Sequence, residues 1–264
     1  MKDKVFNRVI LVWMAAVYGF LFLPIAVIVF MSFNANKYGT FPYTFTTQWY
    51  VKLFTENGLL TATGLSLSFS LVVALTAMIL GTVTALGMQY LIPSWRGRYR
   101  NFISLPVVIP WLVQATSILM ILNFIGWGRS YIGMFLGNTA VVTPYVIMLV
   151  LGRFSDVDDN TENAAKTLGA RPVRVFFDVT LPKLVPGILS GTLMAFIMCF
   201  NSFCIQYYLA PFGVRTLPIE IFTLVRSGYT PDMNALATIM VLATTVVVLL
   251  LNKMGYSGKK LMSM

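Results

Sequence analysis

Charged side chains are absent from six long stretches of the chain, residues 9–36, 57–95, 101–128, 130–152, 184–214 and 233–252. Each stretch holds at least 20 residues, and about 20 apolar residues cross the hydrocarbon of a bilayer as a helix. The pattern therefore predicts an all-α membrane protein with spans at about 9–33, 62–91, 102–125, 130–151, 184–210 and 233–252, in one transmembrane domain covering 1–264. None of the 28 charged side chains then has to sit at the membrane centre, where each costs roughly 2.5–3.5 kcal/mol. Pro106, Pro110 and Pro144 lie inside these spans and predict kinks or breaks, tolerated in lipid only where protein or a cavity satisfies the freed backbone groups.

The polar segments set the orientation. With the N-terminus inside, 14 Lys and Arg residues fall on the cytoplasmic side against 5 outside, so both termini face the cytoplasm. The apolar run near the N-terminus is too long for a signal core and lacks a small-residue cleavage site, so it reads as a retained span. The outer loop 34–58 is rich in aromatics, and its Trp49 and Tyr50 suit a helix at the membrane interface. The inner loop 92–101 is short and basic, and the inner loop 152–183 is the longest.

Composition agrees with a membrane chain: 58% of residues are hydrophobic and 11% charged, against about 25% charged in soluble domains. The net charge of +10 comes from scarce acids, and no basic cluster accompanies a recognition motif, so nucleic acid is not the expected partner. The chain has no histidine, and Cys199 and Cys204 share an apolar run. They read as small core hydrophobes, leaving no ligand set for a metal. The spans lack His, Asp, Glu and Lys, which disfavours a membrane-embedded enzyme.

The loop 152–183 contains TENAAKTLGARPVRVFFDVTLP, from Thr161 to Pro182. Asp158, Asp159 or Asn160 can cap a helix over about Thr161–Leu168, with Thr161, Ala164, Ala165 and Leu168 on one face. Gly169 fits the left-handed residue just past its end. Pro172 fits the first turn of a second short helix with Val173, Phe176, Phe177 and Thr180 on one face, and Leu181-Pro182 is expected to stop it before the next span. Two readings stand: a linker lying flat on the membrane, or a small-residue and aromatic plug seated in a groove of another protein.

The same residues resemble the EAA loop of permease subunits in ATP-binding-cassette (ABC) importers: Glu-Ala-Ala, three residues, Gly, nine residues, an aliphatic, one residue, Leu-Pro. Ala164, Ala165, Gly169, Val179, Leu181 and Pro182 stand in register, whereas Asn163 occupies the glutamate position with Glu162 beside it. The resemblance implies a type I importer permease of MetI-like fold in the bacterial cytoplasmic membrane. Its EAA loop is the coupling helix that enters a cleft on an ATPase subunit, which places Glu162, Asn163, Ala164, Ala165, Gly169, Ala170, Phe176, Phe177, Leu181 and Pro182 at that contact. The chain has no phosphate loop of its own, so ATP and Mg belong to the partners and the chain is not an enzyme. Two ATPase subunits, a second homologous permease and a periplasmic or extracellular solute-binding protein are the implied partners, beside membrane lipid. FLPIAVIVFMSFNANKYG and LPIEIFTLVRSGYTPDMNALATIMV narrow the resemblance to the second permease of spermidine/putrescine importers.

Polar groups inside spans are the candidates for contact with solute: Gln114 and Asn123 in the third span, Asn201, Ser202 and Gln206 in the fifth. Packing between helices is the other reading for each. Asn201 and Ser202 align with an acidic pair of the polyamine branch, and their neutrality keeps open a different amine-containing or anionic metabolite, since a polycation favours compensating negative charge. Tyr207 and Tyr208 read as interfacial belt, and Glu220 and Asp232 as solvated outer charges or contacts to a docked protein.

Overall fold

The computed structural model describes residues 2–36, 42–56, 58–89, 91, 93–154, 159–228 and 231–253. In chain order its helices are α1 (Lys2–Met31), α2 (Gln48–Thr55), α3 (Gly58–Gln89), α4 (Pro93–Val108), α5 (Trp111–Phe124), α6 (Tyr131–Phe154), α7 (Asp159–Thr167), α8 (Pro172–Val175), α9 (Leu181–Phe200), α10 (Phe203–Leu209), α11 (Leu217–Ser227) and α12 (Asp232–Lys253). A π-helical turn, Phe176–Thr180, joins α8 to α9. Among the described residues no strand forms beyond an isolated bridge between Asn34 and Phe45.

Among the described residues four helices are long and apolar enough to cross a membrane: Phe6–Met31, Gly58–Gln89, Tyr131–Phe154 and Pro172–Phe200. A fifth candidate is a bent pair, Trp95–Val108 and Trp111–Phe124, meeting at 101°, and α12 carries the shorter apolar stretch Asp232–Val246. The described residues pack as two compact units, one holding those up to Thr61 with those from Ile221, the other Ala62–Glu220.

In the first unit α12 packs on α1 and α2, and Lys52 of α2 pairs with Asp232 at 3.8 Å and Glu56 at 3.5 Å. The aromatic outer loop folds back on itself. Trp49 Nε1 donates to the Asn34 carbonyl at 2.7 Å, the Ser32 and Tyr50 hydroxyls lie 2.7 Å apart, and the Phe30 and Tyr43 rings stack at 4.3 Å. The loop's Tyr38 and Phe41 lie outside the described residues.

In the second unit α6 is the central helix. A Cβ added to Gly81 of α3 would lie 2.7 Å from the Val146 side chain of α6, and one added to Gly191 of α9 would lie 3.1 Å from the Val146 Cα. Absent side chains thus let three backbones converge, which is how helices associate where lipid supplies no hydrophobic contrast. Val73, Ala77, Val142, Val150 and Ala195 are buried around this contact.

Three expectations about helix ends are corrected. Neither Pro144 nor Pro106 breaks its helix: α6 runs through Pro144 and α4 through Pro106, the lost backbone bond in α6 being outweighed by its burial against α9 and α3. The predicted span 184–210 is not continuous, because α9 ends at Phe200 and α10 starts at Phe203. Asn201 turns its Nδ2 back to the Ile197 carbonyl at 3.0 Å, sharing an acceptor that its own backbone N–H also reaches at 3.1 Å at the helix end. Leu181-Pro182 does not stop the second short helix, since Pro172–Phe200 runs as one helical segment. Proline at 182 has no N–H for a normal turn, and the widened π turn, in which the Leu181 N–H reaches the Phe176 carbonyl, absorbs that mismatch.

Candidate functional site

The first candidate region is the EAA-like segment. α7 ends as its composition predicts. Gly169 takes φ +83, its N–H donates to the Lys166 carbonyl at 3.0 Å, and the Ala170 N–H donates to the Ala165 carbonyl at 3.1 Å. These are the paired bonds of a Schellman motif, which needs a left-handed residue at the glycine. Ala165, Gly169 and Ala170 therefore form one structural device that sets the angle between α7 and α8. Pro172 occupies the first turn of α8 after Arg171. Of the capping candidates, Asp158 lies outside the described residues. Asn163 lies within α7, its carbonyl accepting from the Thr167 hydroxyl at 2.8 Å, and Glu162 falls in the same helix.

The second short helix does not present one apolar face. Val175 and Thr180 are buried and Phe176 is half-buried, while Val173 and Phe177 are exposed. The π turn adds a residue to the helical period, so Val173 and Phe177 rotate away from Phe176 and Thr180. The Phe176 and Phe177 rings still meet edge to face at 5.2 Å, and Arg174 pairs with Asp178 at 3.1 Å on the surface. Leu168 (88% exposed), Val173 (68%) and Phe177 (59%) leave an apolar surface uncovered by this chain.

The second candidate region lies around the break in the fifth span. Gln206 is fully buried, its Nε2 donating to the Cys199 carbonyl at 2.6 Å while its Oε1 has no partner. Ser202, also buried, has an unpartnered Oγ. The Cys199 thiol lies beside Ser70 and Gln206 and donates to Asn138 Oδ1 at 3.8 Å. Gln206 thus joins a neutral polar cluster with Cys199, Ser70 of α3 and Asn138 of α6, and Ser202 lies next to it in the chain, its backbone N–H donating to the Cys199 carbonyl at 3.1 Å. Asn138 is missing from the sequence-derived set although its signal, a carboxamide in a charge-free apolar span, equals that of Gln114. Each buried polar atom without a partner costs about 1–3 kcal/mol, and Gln206 Oε1 and Ser202 Oγ place two of them beside one helix break.

The other candidates stand apart from this cluster. Gln114 is a structural stitch: its Nε2 donates at 2.7 Å to both the Pro106 and the Ile109 carbonyls, groups freed where Pro110 interrupts the span. Asn123 is exposed at the far end of α5, roughly 13 Å along the helix from Gln114. Asn201 is exposed and spends its side chain on its own helix end. The reading of Glu220 and Asp232 as solvated charges is corrected. Both are buried, in the first turns of α11 and α12, where the helix dipole favours a carboxylate. Arg215 pairs with Glu220 at 3.3 Å. Arg129 donates to the Ala210 and Tyr207 carbonyls at 2.9 and 2.8 Å, closing the C-terminal end of α10. Among the described residues no group of three His, Cys, Asp or Glu could hold a metal.

The comparisons agree with this architecture. Residues 77–259, the greater part of the chain, match the family described as binding-protein-dependent transport system inner membrane component. The putrescine transport system permease protein PotI of Escherichia coli (strain K12) is 34% identical over 242 residues, covering 87% of this chain and 84% of that protein. The spermidine/putrescine transport system permease protein PotC of Haemophilus influenzae is 30% identical over 244 residues, covering 90% and 93%. A chain in the crystal structure of a bacterial ABC transporter involved in import of the acidic polysaccharide alginate superposes with TM-score 0.70 at 17% identity over 97% of both chains, a likeness of fold. The chain belongs to the binding-protein-dependent transport system inner membrane components, as a multi-pass permease subunit of an ABC importer that works with an ATPase, a second permease and a substrate-binding protein.

Proposed function

We propose that this permease forms half of the pathway for a polyamine of the putrescine and spermidine class. The observation that carries the solute class is the match, over most of both chains, to permeases named for putrescine and spermidine/putrescine. The importer pairs this chain with a second permease and two ATPase copies, and both termini face the cytoplasm. Six spans cross the membrane, α1, α3, α4 with α5, α6, α9 with α10, and α12. Alternating access moves solute past the polar cluster of Ser202, Gln206 and their neighbours.

Coupling runs through α7, α8 and the π turn. Leu168, Val173 and Phe177 are apolar and exposed, the condition expected of side chains that seat in a groove of another subunit. Asn163, Ala164 and Ala165 form the small-residue side of the same plug, preceded in the chain by Glu162, and the Schellman turn at Gly169 and Ala170 holds its angle. Phe176, Leu181 and Pro182 pass the ATPase stroke into α9, because α8 and α9 are one helical segment.

A second solute reading rests on Asn201 and Ser202. Both are neutral where the polyamine branch resembled here has acids, and the cluster around Gln206 is neutral as well. A different small amine-containing or anionic metabolite fits that chemistry. Uptake decides between the two. The complete importer, expressed in cells lacking their own polyamine importers, is expected to accumulate labelled putrescine or spermidine in an ATP-dependent manner. Absence of polyamine uptake, with uptake of another amine or of an anionic metabolite by the same cells, would establish the second reading.

A further inference from the structure

We propose that the chain carries a binding site for the phosphate headgroup of an anionic phospholipid, in an open cavity of about 370 Å³ where the ends of α3 and α6 meet the start of α4. Met88, Gln89, Arg96, Arg100, Leu151 and Phe154 line it. α3 ends at Gln89 and α6 at Phe154, and both helices are long and apolar enough to span. The cavity therefore sits where hydrocarbon gives way to headgroups.

Two arginines supply the recognition. Arg96 and Arg100 are four residues apart on α4, so their side chains project from one face. Arg96 is held in place by its Nη2, which donates to the Gln89 carbonyl at 2.5 Å and the Leu91 carbonyl at 3.4 Å. Its Nε is buried without a partner, and among the described residues no carboxylate pairs with either arginine. A guanidinium pair matches the oxygens of a phosphodiester, to which it donates in parallel. Basic pockets between membrane helices take anionic headgroups for this reason.

The remaining lining argues for lipid over free phosphate. Met88, Leu151 and Phe154 give the cavity an apolar wall suited to glycerol and the first acyl carbons, which inorganic phosphate would leave unused. Trp95 and Tyr99 lie beside the arginines on α4 with rings 6.1 Å apart, and the Arg98 guanidinium stacks over Trp95 at 5.4 Å. That is the amphipathic composition of the headgroup level. The inference needs only that the chain spans a membrane and is independent of which solute is carried.

The test counts lipid on the intact importer, purified in detergent and stripped of lipid. Phosphatidylglycerol, phosphatidylcholine and inorganic phosphate are titrated separately, with bound molecules resolved by native mass spectrometry. The unaltered importer is expected to retain phosphatidylglycerol about tenfold more tightly than phosphatidylcholine. Arg100→Gln removes one guanidinium from an exposed position. Gly97→Phe fills the cavity with both arginines kept, since a Cβ at Gly97 meets nothing within 4 Å. Each variant is expected to lose that preference, and Arg8→Gln, an exposed arginine on α1, is expected to keep it. Unchanged retention in both cavity variants, equal loss in Arg8→Gln, no preference over phosphatidylcholine, or phosphate binding that displaces the lipid would each overturn the proposal.

Discussion

At the scale of single residues, buried polar atoms separate scaffold from pathway. Gln114 bonds to two carbonyls that the broken span cannot satisfy internally. Gln114→Leu leaves both acceptors unpaired in an apolar setting, so a loss of about 2–4 kcal/mol is expected, read as a lower melting temperature of the purified importer. Ser202 is the opposite case, a buried hydroxyl with no partner. Ser202→Ala removes a group that is already costly in the folded state, so stability should hold or rise by about 1 kcal/mol while uptake falls severalfold. Normal uptake by a stable Ser202→Ala importer would remove the residue from the solute pathway. Gly169 is fixed by its φ of +83. Gly169→Val forces a β-branched residue into the left-handed region at about 1–2 kcal/mol. The spans should still insert, but ATPase stimulation by the loaded binding protein should be lost.

At the scale of elements, the π turn decides what the coupling segment presents. It puts Val173 and Phe177 on the surface and turns Thr180 inward. Deleting Val179 returns the segment to α-helical register and rotates everything before it by about 100°. Assembly with the ATPase is expected to weaken, with membrane insertion of α9 unchanged, measured by co-purification of the two subunits. This element also marks the limit of what the sequence tells. The Schellman end of α7 was legible, because a left-handed residue strongly favours glycine and Gly169 lies at the right distance from the alanines. The continuity of α8 with α9 was not, because Pro182 signals a stop equally well whether the chain ends there or widens by one residue. The prolines make the same point: Pro110 interrupts a span whereas Pro144 sits inside α6. The outcome at Pro144 depends on how α6 packs against Gly81 of α3 and Gly191 of α9, which no local pattern reveals. The buried cluster was half legible, Ser202 and Gln206 being visible as polar residues in a span, but Ser70 and Asn138 join it only through packing.

At the scale of the whole molecule, the unequal distribution of basic residues predicts which way the permease faces, and the coupling proposal depends on that orientation. The EAA-like segment must lie in the cytoplasm to meet an ATPase, and the aromatic loop around Trp49 must lie outside to meet a binding protein. The bias of 14 Lys and Arg against 5 predicts that arrangement, since basic residues near span ends resist translocation. Two exposed positions report it directly. Leu168 is 88% exposed in the coupling segment and Phe45 is 71% exposed in the aromatic loop. In a Cys204→Ser background, with the remaining Cys199 buried, Phe45→Cys is expected to react with a membrane-impermeant maleimide added to intact spheroplasts. Leu168→Cys should react only after the membrane is opened or inverted. Binding of the ATPase should then protect Leu168→Cys and leave Phe45→Cys unaffected, because a plug seated in a cleft shields its own side chains and none across the bilayer. Labelling of Leu168→Cys from outside would invert the topology and separate the segment from any cytoplasmic motor.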